Sequence, residues 1–331
     1  MWDSRLVQRS SSSWFCASAL LFCLTSITMA QQQLNTAKVL IFSKTDGFRH
    51  ESIPAATEAL QAAGPTKQIE FDATEDATRF SDDGLAGYDA VLFLMNTAEV
   101  LAEDQTKALQ NYLNAGGNFI AIHSASDAVR ATPFYGQALG AYFDHHANLQ
   151  NATVLVADKN HPSTSSLPDR WPVYDEIYYF KSDPRSIGAK VILSVDESSY
   201  HDQDTTYVDV QGKPHPLAWY QERVSGTDAS ATRVGRSWYT SLGHEISVWS
   251  DSIFMAHVMG GITWTLASGT TKAFDASSSV GNSVSAGGAS ASTTASAPRT
   301  SSTNPTGSAR RTGVVHSLIA CLSLLLTLSG S

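Results

Sequence analysis

The stretch Asn118–Asp127, NFIAIHSASD, decides the fold. It opens as a continuous apolar run, Phe119-Ile120-Ala121-Ile122, and breaks into His123, Ser124 and small polar residues. A strand buried on both faces reads as such an unbroken run, and both-face burial is the mark of a parallel sheet covered by helices. The preceding segment EDQTKALQNYLNAGG (103–117) supplies a helix of the expected kind. Acidic residues stand at its front and Gly116 at its C′ position, complementing the helix dipole and allowing a left-handed stop.

The same alternation extends toward the N-terminus. KVLIFS (38–43), QIEFD (68–72) and YDAVLFLM (88–95) read as strands. IPAATEALQAAG (53–64) reads as a helix opened by Pro54 and stopped by Gly64. The fold class is therefore α/β, a mostly parallel sheet with flanking helices in one domain. The second half is less regular: ATVLVAD (152–158), KVILSVD (190–196), PLAWYQE (216–222) and RSWYTSLG (236–243) are strand candidates separated by polar loops. SIFMAHVMGGITWTLAS (252–268) is apolar on nearly all sides and reads as a closing helix, in which Gly260-Gly261 implies close packing against a neighbour. No internal repeat is present.

In open α/β sheets ligands sit beyond the carboxyl ends of the strands. The first strand leads into Asp46, Arg49 and His50, the third into Asn96, and the fourth into His123 and Ser124. All three exits are polar and two carry histidine, so the opening stretch delivers its histidine to a rim that His50 shares. The competing reading makes His123 a satisfied core histidine and Ser124 a helix cap. In the functional reading His123 is a general base or a ligand, and Ser124 a hydrogen-bonding group. A serine nucleophile activated by His123 is disfavoured, since strand neighbours point to opposite faces, and no G-x-S-x-G elbow surrounds Ser124.

Imidazoles and carboxylates elsewhere extend the candidate set. His244 and Glu245 end a strand, and of the pair His145-His146 only His146 is expected to face the site. Glu176 lies among aromatics, where desolvation is expected to raise its pKa and make it an acid; a hydrogen-bonded structural carboxylate is the alternative. His50, His123, His146 and His244 are of the type that holds zinc or a similar divalent ion, although their spacing is no compact metal signature. His161-Pro162 suits a turn as well as a ligand, and His201 lies in a polar loop. Tyr178, Tyr179, Phe180, Trp219 and Trp238 offer stacking faces for sugar rings, or alternate simply as sheet core. Asn151-Ala152-Thr153 is an N-glycosylation sequon.

The ends read differently from the middle. Arg5 and Arg9 precede an apolar stretch, Trp14–Leu24, and Thr28-Met29-Ala30 suits signal peptidase, so residues 1–30 are expected to be a signal peptide. Residues 271–306 are rich in Ser, Thr, Ala and Gly, too poor in apolar side chains to offset the entropy of ordering, and read as a flexible stalk. Residues 307–331 end in an apolar tail and resemble a GPI-attachment signal, with Ser301 or Ser302 as the attachment site. Such an anchor implies the outer surface of a eukaryotic cell, with membrane contact through the lipid alone. The domain itself is taken as residues 31–270.

Of three cysteines, Cys16 and Cys23 fall in the signal and Cys321 in the tail. A cysteine nucleophile and thiolate metal ligands are thereby excluded from the mature domain. The formal net charge is −9, and setting aside the basic flanks leaves the middle more acidic still. That charge disfavours nucleic acid and suits neutral ligands or cations.

The ordered set KVLIFSKTDGFRHESIP, GGNFIAIHSASD, FDHHAN, NHPSTSSLP, DEIYYF, PLAWYQE and GRSWYTSLGHE, spread from Lys38 to about Ala267, resembles the ThuA-like (trehalose-utilisation) family. That resemblance implies a class I glutamine-amidotransferase-like fold, flavodoxin-like and three-layered. In amidotransferases of that fold a cysteine follows the central strand; here His123 stands at that position, and Gly243-His244-Glu245 is similar to their late His-Glu motif. Without the sulfur, amidotransferase chemistry does not carry over. The resemblance implies a carbohydrate ligand, a keto-sugar or glycoside, transformed by acid/base or metal-assisted chemistry or bound without turnover as a cell-surface or cell-wall module.

Overall fold

The computed structural model describes residues 35–203 and 209–282. The expected signal peptide, the stalk beyond residue 282, Ser301, Ser302 and the expected attachment signal lie outside the described residues.

The elements in chain order are β1 (Ala37–Phe42), α1 (Ile53–Ala63), β2 (Ile69–Thr74), α2 (Asp82–Leu85), β3 (Ala90–Leu94), β4 (Thr97–Ala98), α3 (Glu103–Asn114), β5 (Asn118–Ile122), β6 (Asp127–Ala128), α4 (Pro133–Leu139), β7 (Phe143–His146), β8 (Gln150–Val156), β9 (Arg170–Asp175), β10 (Tyr178–Phe180), β11 (Lys190–Val195), β12 (Pro216–Gln221), β13 (Ser237–Thr240) and α5 (Ser252–Leu266). Among the described residues, nine strands form one sheet in the order β2-β1-β3-β5-β13-β12-β11-β8-β9. From β2 through β13 every pairing is parallel. Beyond β13 the pairings are antiparallel. No helix among the described residues is long and apolar enough to cross a membrane.

Side chains alternate along each central strand and so build two cores. Val39, Ile41, Ile120 and Ile122 face α1 and α5 through Ile53, Leu60, Phe254, Val258 and Ile262. Leu40, Phe42, Phe119 and Ala121 face α3 and α4 through Leu109, Leu113 and Leu139. The result is three layers, and the unbroken apolar runs follow from burial on both faces. Gly260 sits where a Cβ would stand 2.4 Å from Pro162 O, and Gly261 where one would meet the Trp238 ring at 2.2 Å, which is the close packing the pair implied.

Gly64 caps α1 as expected, in right-handed backbone (φ −53°); a short 3-10 turn follows, and a Cβ there would stand 2.5 Å from Ile69 O, so close approach explains the glycine. Three other local expectations need correction. The expected stalk boundary at 271 falls too early. Buried Asp89 at the foot of β3 accepts the N–H of Lys38 at 2.9 Å and of Ala273 at 3.0 Å, and Gly281 N donates to Ala86 O at 2.8 Å. A segment held by its backbone gives no signal in side-chain composition. Asn151, expected before a strand, lies within β8, where its side chain is exposed. Finally, His123 and Ser124 are not strand neighbours, because a 3-10 turn begins at His123.

Candidate metal centre

The rim assembles from four chain segments. β1 exits into a loop pinned on β4, with Asp46 N donating to Thr97 O and the Thr97 hydroxyl to Phe48 O at 2.7 Å; the loop then places buried His50 just before α1. β5 exits at His123, which adopts φ +56°. A bulky residue in the left-handed region is uncommon and persists where its surroundings over-determine it. Here Ser241 O lies 2.6 Å from His123 Nδ1, and Tyr239 Oη donates to His123 O at 3.0 Å. Since a carbonyl only accepts, Nδ1 carries the ring proton and Nε2 faces the site as a lone pair.

Glu176 follows β9, and His244 follows β13 through Gly243 (φ +131°). Buried Asp175 ties these two segments together by accepting Gly243 N at 2.8 Å and, more loosely, His244 N at 3.4 Å. His50, His123, Glu176 and His244 each contribute one ligand atom, all within 4.8 Å of one another. His123 Nε2 is 3.1 Å from His50 Nε2 and 3.7 Å from Glu176 Oε2, and His244 Nδ1 is 3.2 Å from Glu176 Oε2. Ligands at about 2.0–2.2 Å from a tetrahedral zinc are separated by roughly 3.3–3.6 Å, so these spacings suit a shared ion. His244 Nδ1 is also buried without a hydrogen-bonded partner, its contact with Glu176 being off the line of a bond. The donor set, imidazole with one carboxylate, fits zinc or a similar divalent ion.

Electrostatics keep three of the four donors, His50, His123 and Glu176, in ligand form. Burial, aided by the nearby His244, lowers the pKa of His50 to about 4. Burial also holds His123 well below the ordinary imidazole value. For Glu176, burial alone would raise the pKa, but His244, His146 and His50 outweigh it and the net shift is downward. The expectation that Glu176 is a desolvated acid is therefore corrected: it is a carboxylate because imidazoles surround it. Its contact with Glu176 raises His244 in turn. Burial raises the neighbouring Asp175, which sequence reasoning did not single out, to about 7, and shifts the cavity-lining Asp127 in the same direction.

Beside the cluster lies a cavity of about 320 Å³ bounded by Phe48, Thr97, Ser124, Asp127, Phe143 and Tyr178, with His50, His146 and Glu176 on the cluster side. Ser124 Oγ is 3.3 Å from His50 Nδ1, Tyr178 Oη is 2.9 Å from His123 Nε2, and His146 Nδ1 is 3.5 Å from Glu176 Oε1. The 3-10 turn is what lets both His123 and Ser124 reach His50, and no side-chain cap forms there. His145 points elsewhere, stacking on Tyr179 and pairing with Asp144 and Asp202.

Other expected residues fall outside the cluster. Arg49 pairs with Glu75 at 2.7 Å and Asp46 with Lys44 at 3.2 Å, both at the surface. Asn96 is buried and donates to Lys44 O at 2.9 Å, which shapes the β1 exit. Glu245 Oε1 lies 4.0 Å from His244 Nε2, beside the cluster. His161 is buried against Tyr220, and His215 donates from Nε2 to Tyr178 O at 2.8 Å and accepts at Nδ1 from the Tyr200 hydroxyl at 3.3 Å, outside the cavity lining. Trp219 and Trp238 are core residues. Tyr178 reaches the site through its hydroxyl, a role its alternating pattern did not disclose.

Two solved structures share this fold. A ThuA-like protein from Bacteroides uniformis is 19% identical with TM-score 0.55, the match covering 71% of this chain and 93% of that one. A ThuA-like protein from Parabacteroides merdae is 16% identical with TM-score 0.52, covering 70% and 90%. No curated protein matches the sequence. The family model described as trehalose utilisation matches residues 38–265, and with this three-layer sheet and its histidine rim the chain belongs to the ThuA family.

Proposed function

We propose that this chain is a metal-dependent enzyme acting on a neutral carbohydrate, a keto-sugar or glycoside, with His50, His123, Glu176 and His244 holding the ion. The observation that carries the proposal is the convergence of these four ligand atoms beside a cavity, at the carboxyl ends of the parallel strands. A divalent ion bound there supplies Lewis acidity toward a sugar carbonyl or hydroxyl and lowers the pKa of bound water.

The chain's own residues supply the rest. Ser241 O and Ser124 Oγ orient the rings of His123 and His50 from behind, as outer partners of metal-binding imidazoles do. Burial raises the Tyr178 phenol well above its ordinary pKa, so Tyr178 stays protonated and acts as a hydrogen-bond donor. His146, exposed on the cavity edge, donates from Nδ1 to Ala147 O at 3.0 Å, which holds its ring beside Glu176 Oε1 at 3.5 Å.

A metal-free reading has its own support. Ser124 Oγ, His50 and His123 form a directional chain ending at Ser241 O, with both imidazoles held neutral by burial. Elemental analysis of the purified chain separates the readings. Stoichiometric zinc, manganese or iron that vanishes in His123→Ala supports the metal centre. A metal-free protein that still turns over or binds sugar transfers the role to acid/base chemistry or to a non-catalytic surface module.

For location, the secretory and attachment-like ends support a GPI-anchored cell-surface protein, and the exposed Asn151 sequon suits N-glycosylation.

A further inference from the structure

The part of the cavity lining that Thr97 and Asp127 supply rests on a strained backbone bridge. β4 and β6 pair in a two-residue parallel bridge, Thr97 opposite Asp127 and Ala98 opposite Ala128. Ala98 (φ +64°) in the bridge and Val129 (φ +50°) just after it adopt left-handed backbone, joined by Val129 N donating to Ala98 O at 3.0 Å. A β-branched residue in that region is a genuine outlier, and such strain concentrates at ligand clamps. The bridge presents Thr97 and Asp127 to the cavity. The Thr97 hydroxyl is spent on Phe48 O, whereas Asp127 contacts Arg130 Nη1 through Oδ1 at 3.3 Å.

Two further features define the occupant. No lysine or arginine lines the cavity among the described residues, while Asp127 and Glu176 bring two carboxylates to its lining. A phosphate on the sugar would find no lysine or arginine in that lining, the Arg130 guanidinium being engaged by Asp127 at 3.3 Å. Phe48, 66% exposed at the mouth, and Phe143, packed on Tyr178 at 4.6 Å between ring centroids, offer apolar surfaces to a ring's C–H face. The volume, at the low end of ligand pockets of about 300–1,000 Å³, suits a single ring.

We propose that this cavity binds one neutral, unphosphorylated sugar ring, with Asp127 accepting hydrogen bonds from its hydroxyls and Phe48 and Phe143 flanking its apolar face. The assignment rests on the carbohydrate reading above but adds residues that hold no metal. Carboxylate acceptors suit sugar hydroxyls because O–H···O⁻ bonds are short and strong.

The test is ligand-observed NMR and calorimetry on the full chain, with glucose, mannose, trehalose and glucose 6-phosphate as probes. Asp127→Asn and Phe48→Ala are compared with the parent, and metal content is measured in parallel. Asp127→Asn is nearly isosteric, and Phe48 is exposed, so thermal melts should verify both folds. Loss of a charge-assisted bond predicts at least about tenfold weaker neutral-sugar binding in Asp127→Asn, with metal content unchanged. Equal affinity in Asp127→Asn, tighter binding of the phosphate ester, or no neutral-sugar signal at millimolar probe overturns the assignment. Absence of metal in the parent would count against the metal centre alone, leaving this result to be read separately.

Discussion

Asp175 Oδ2 accepts the backbone N–H of Gly243 at 2.8 Å across 68 residues of sequence, fixing the end of β9 against the turn that carries His244. Because Asp175 precedes Glu176, one carboxylate orients two members of the cluster. Asp175→Asn keeps one acceptor oxygen but sets an NH2 donor in place of the other, so the Glu176, Gly243 and His244 amides no longer all find an acceptor. Outer partners of this kind typically contribute about 10–100-fold to metal affinity, and a loss of that order is expected in chelator competition. An unchanged metal affinity would show that the turn is held by other contacts.

Metal removal should be visible as stability. A ligand that binds only the folded chain adds about 2.7 kcal/mol when present at 100 times its Kd. Dialysis against a chelator is therefore expected to lower Tm and zinc to restore it, while His123→Ala should melt at a temperature indifferent to both. A parent Tm that ignores chelator and zinc would remove the ion from the rim.

The buried His257 gives a pH dependence with a defined sign. Its Nδ1 lies 2.9 Å from Ser163 O and its Nε2 3.0 Å from Thr240 Oγ1, and burial lowers its pKa from 6.5 to about 4. The folded pKa is depressed, so its contribution is fully present above 6.5 and is lost as pH falls through 4. Over that interval only the unfolded chain takes up the proton, at a cost of about 1.4 kcal/mol per pH unit, or about 3 kcal/mol in all. Urea unfolding between pH 6.5 and 4 should show this slope, and His257→Gln should flatten it by about one proton. His161, also lowered to about 4 by burial, adds a slope of the same sign that the variant retains.

The parallel half of the sheet and its rim were legible because burial on both faces writes an unbroken apolar run, and because a strand that ends in His123 announces where the chain leaves the sheet. β9 was not legible: RWPVYD carries Pro172 and alternates unevenly, as an edge strand can, and so resembles a loop. Asp46 and Arg49 drew attention by sitting near His50 in sequence, yet their charges turn to solvent partners. Asp175 and Glu176 are adjacent acids that sequence cannot tell apart; only the distant amides of Gly243 and His244 and the surrounding imidazoles separate a buried tie from a ligand. Asp127 was silent for the same reason, its role arising from a two-residue bridge with Thr97.

Helix α5 offers a test in which two effects oppose. Gly260→Ala should gain about 1 kcal/mol of helix propensity. Against that, the new Cβ would stand 2.4 Å from Pro162 O and 2.6 Å from Ser163 Cα, backbone atoms that cannot rotate away. Overpacking of this kind costs about 1–3 kcal/mol, so the net change should be destabilising. Gly87→Ala, with nothing within 4 Å of its Cβ, is the control, expected to be neutral or stabilising by up to about 1 kcal/mol. Equal denaturation midpoints for the two variants would mean that the Pro162 loop yields.

The last described residue, Asn282, is bound to Asp89 and to Thr36 O, beside the foot of β1 and β3, the end of the sheet opposite the His50-His123 rim. If the tail is exchanged for a GPI lipid, phosphatidylinositol-specific phospholipase C should release the protein from intact cells. Deletion of residues 307–331 should instead send it to the medium. Retention on cells after both treatments would show that something other than the C-terminal signal holds the protein at the surface.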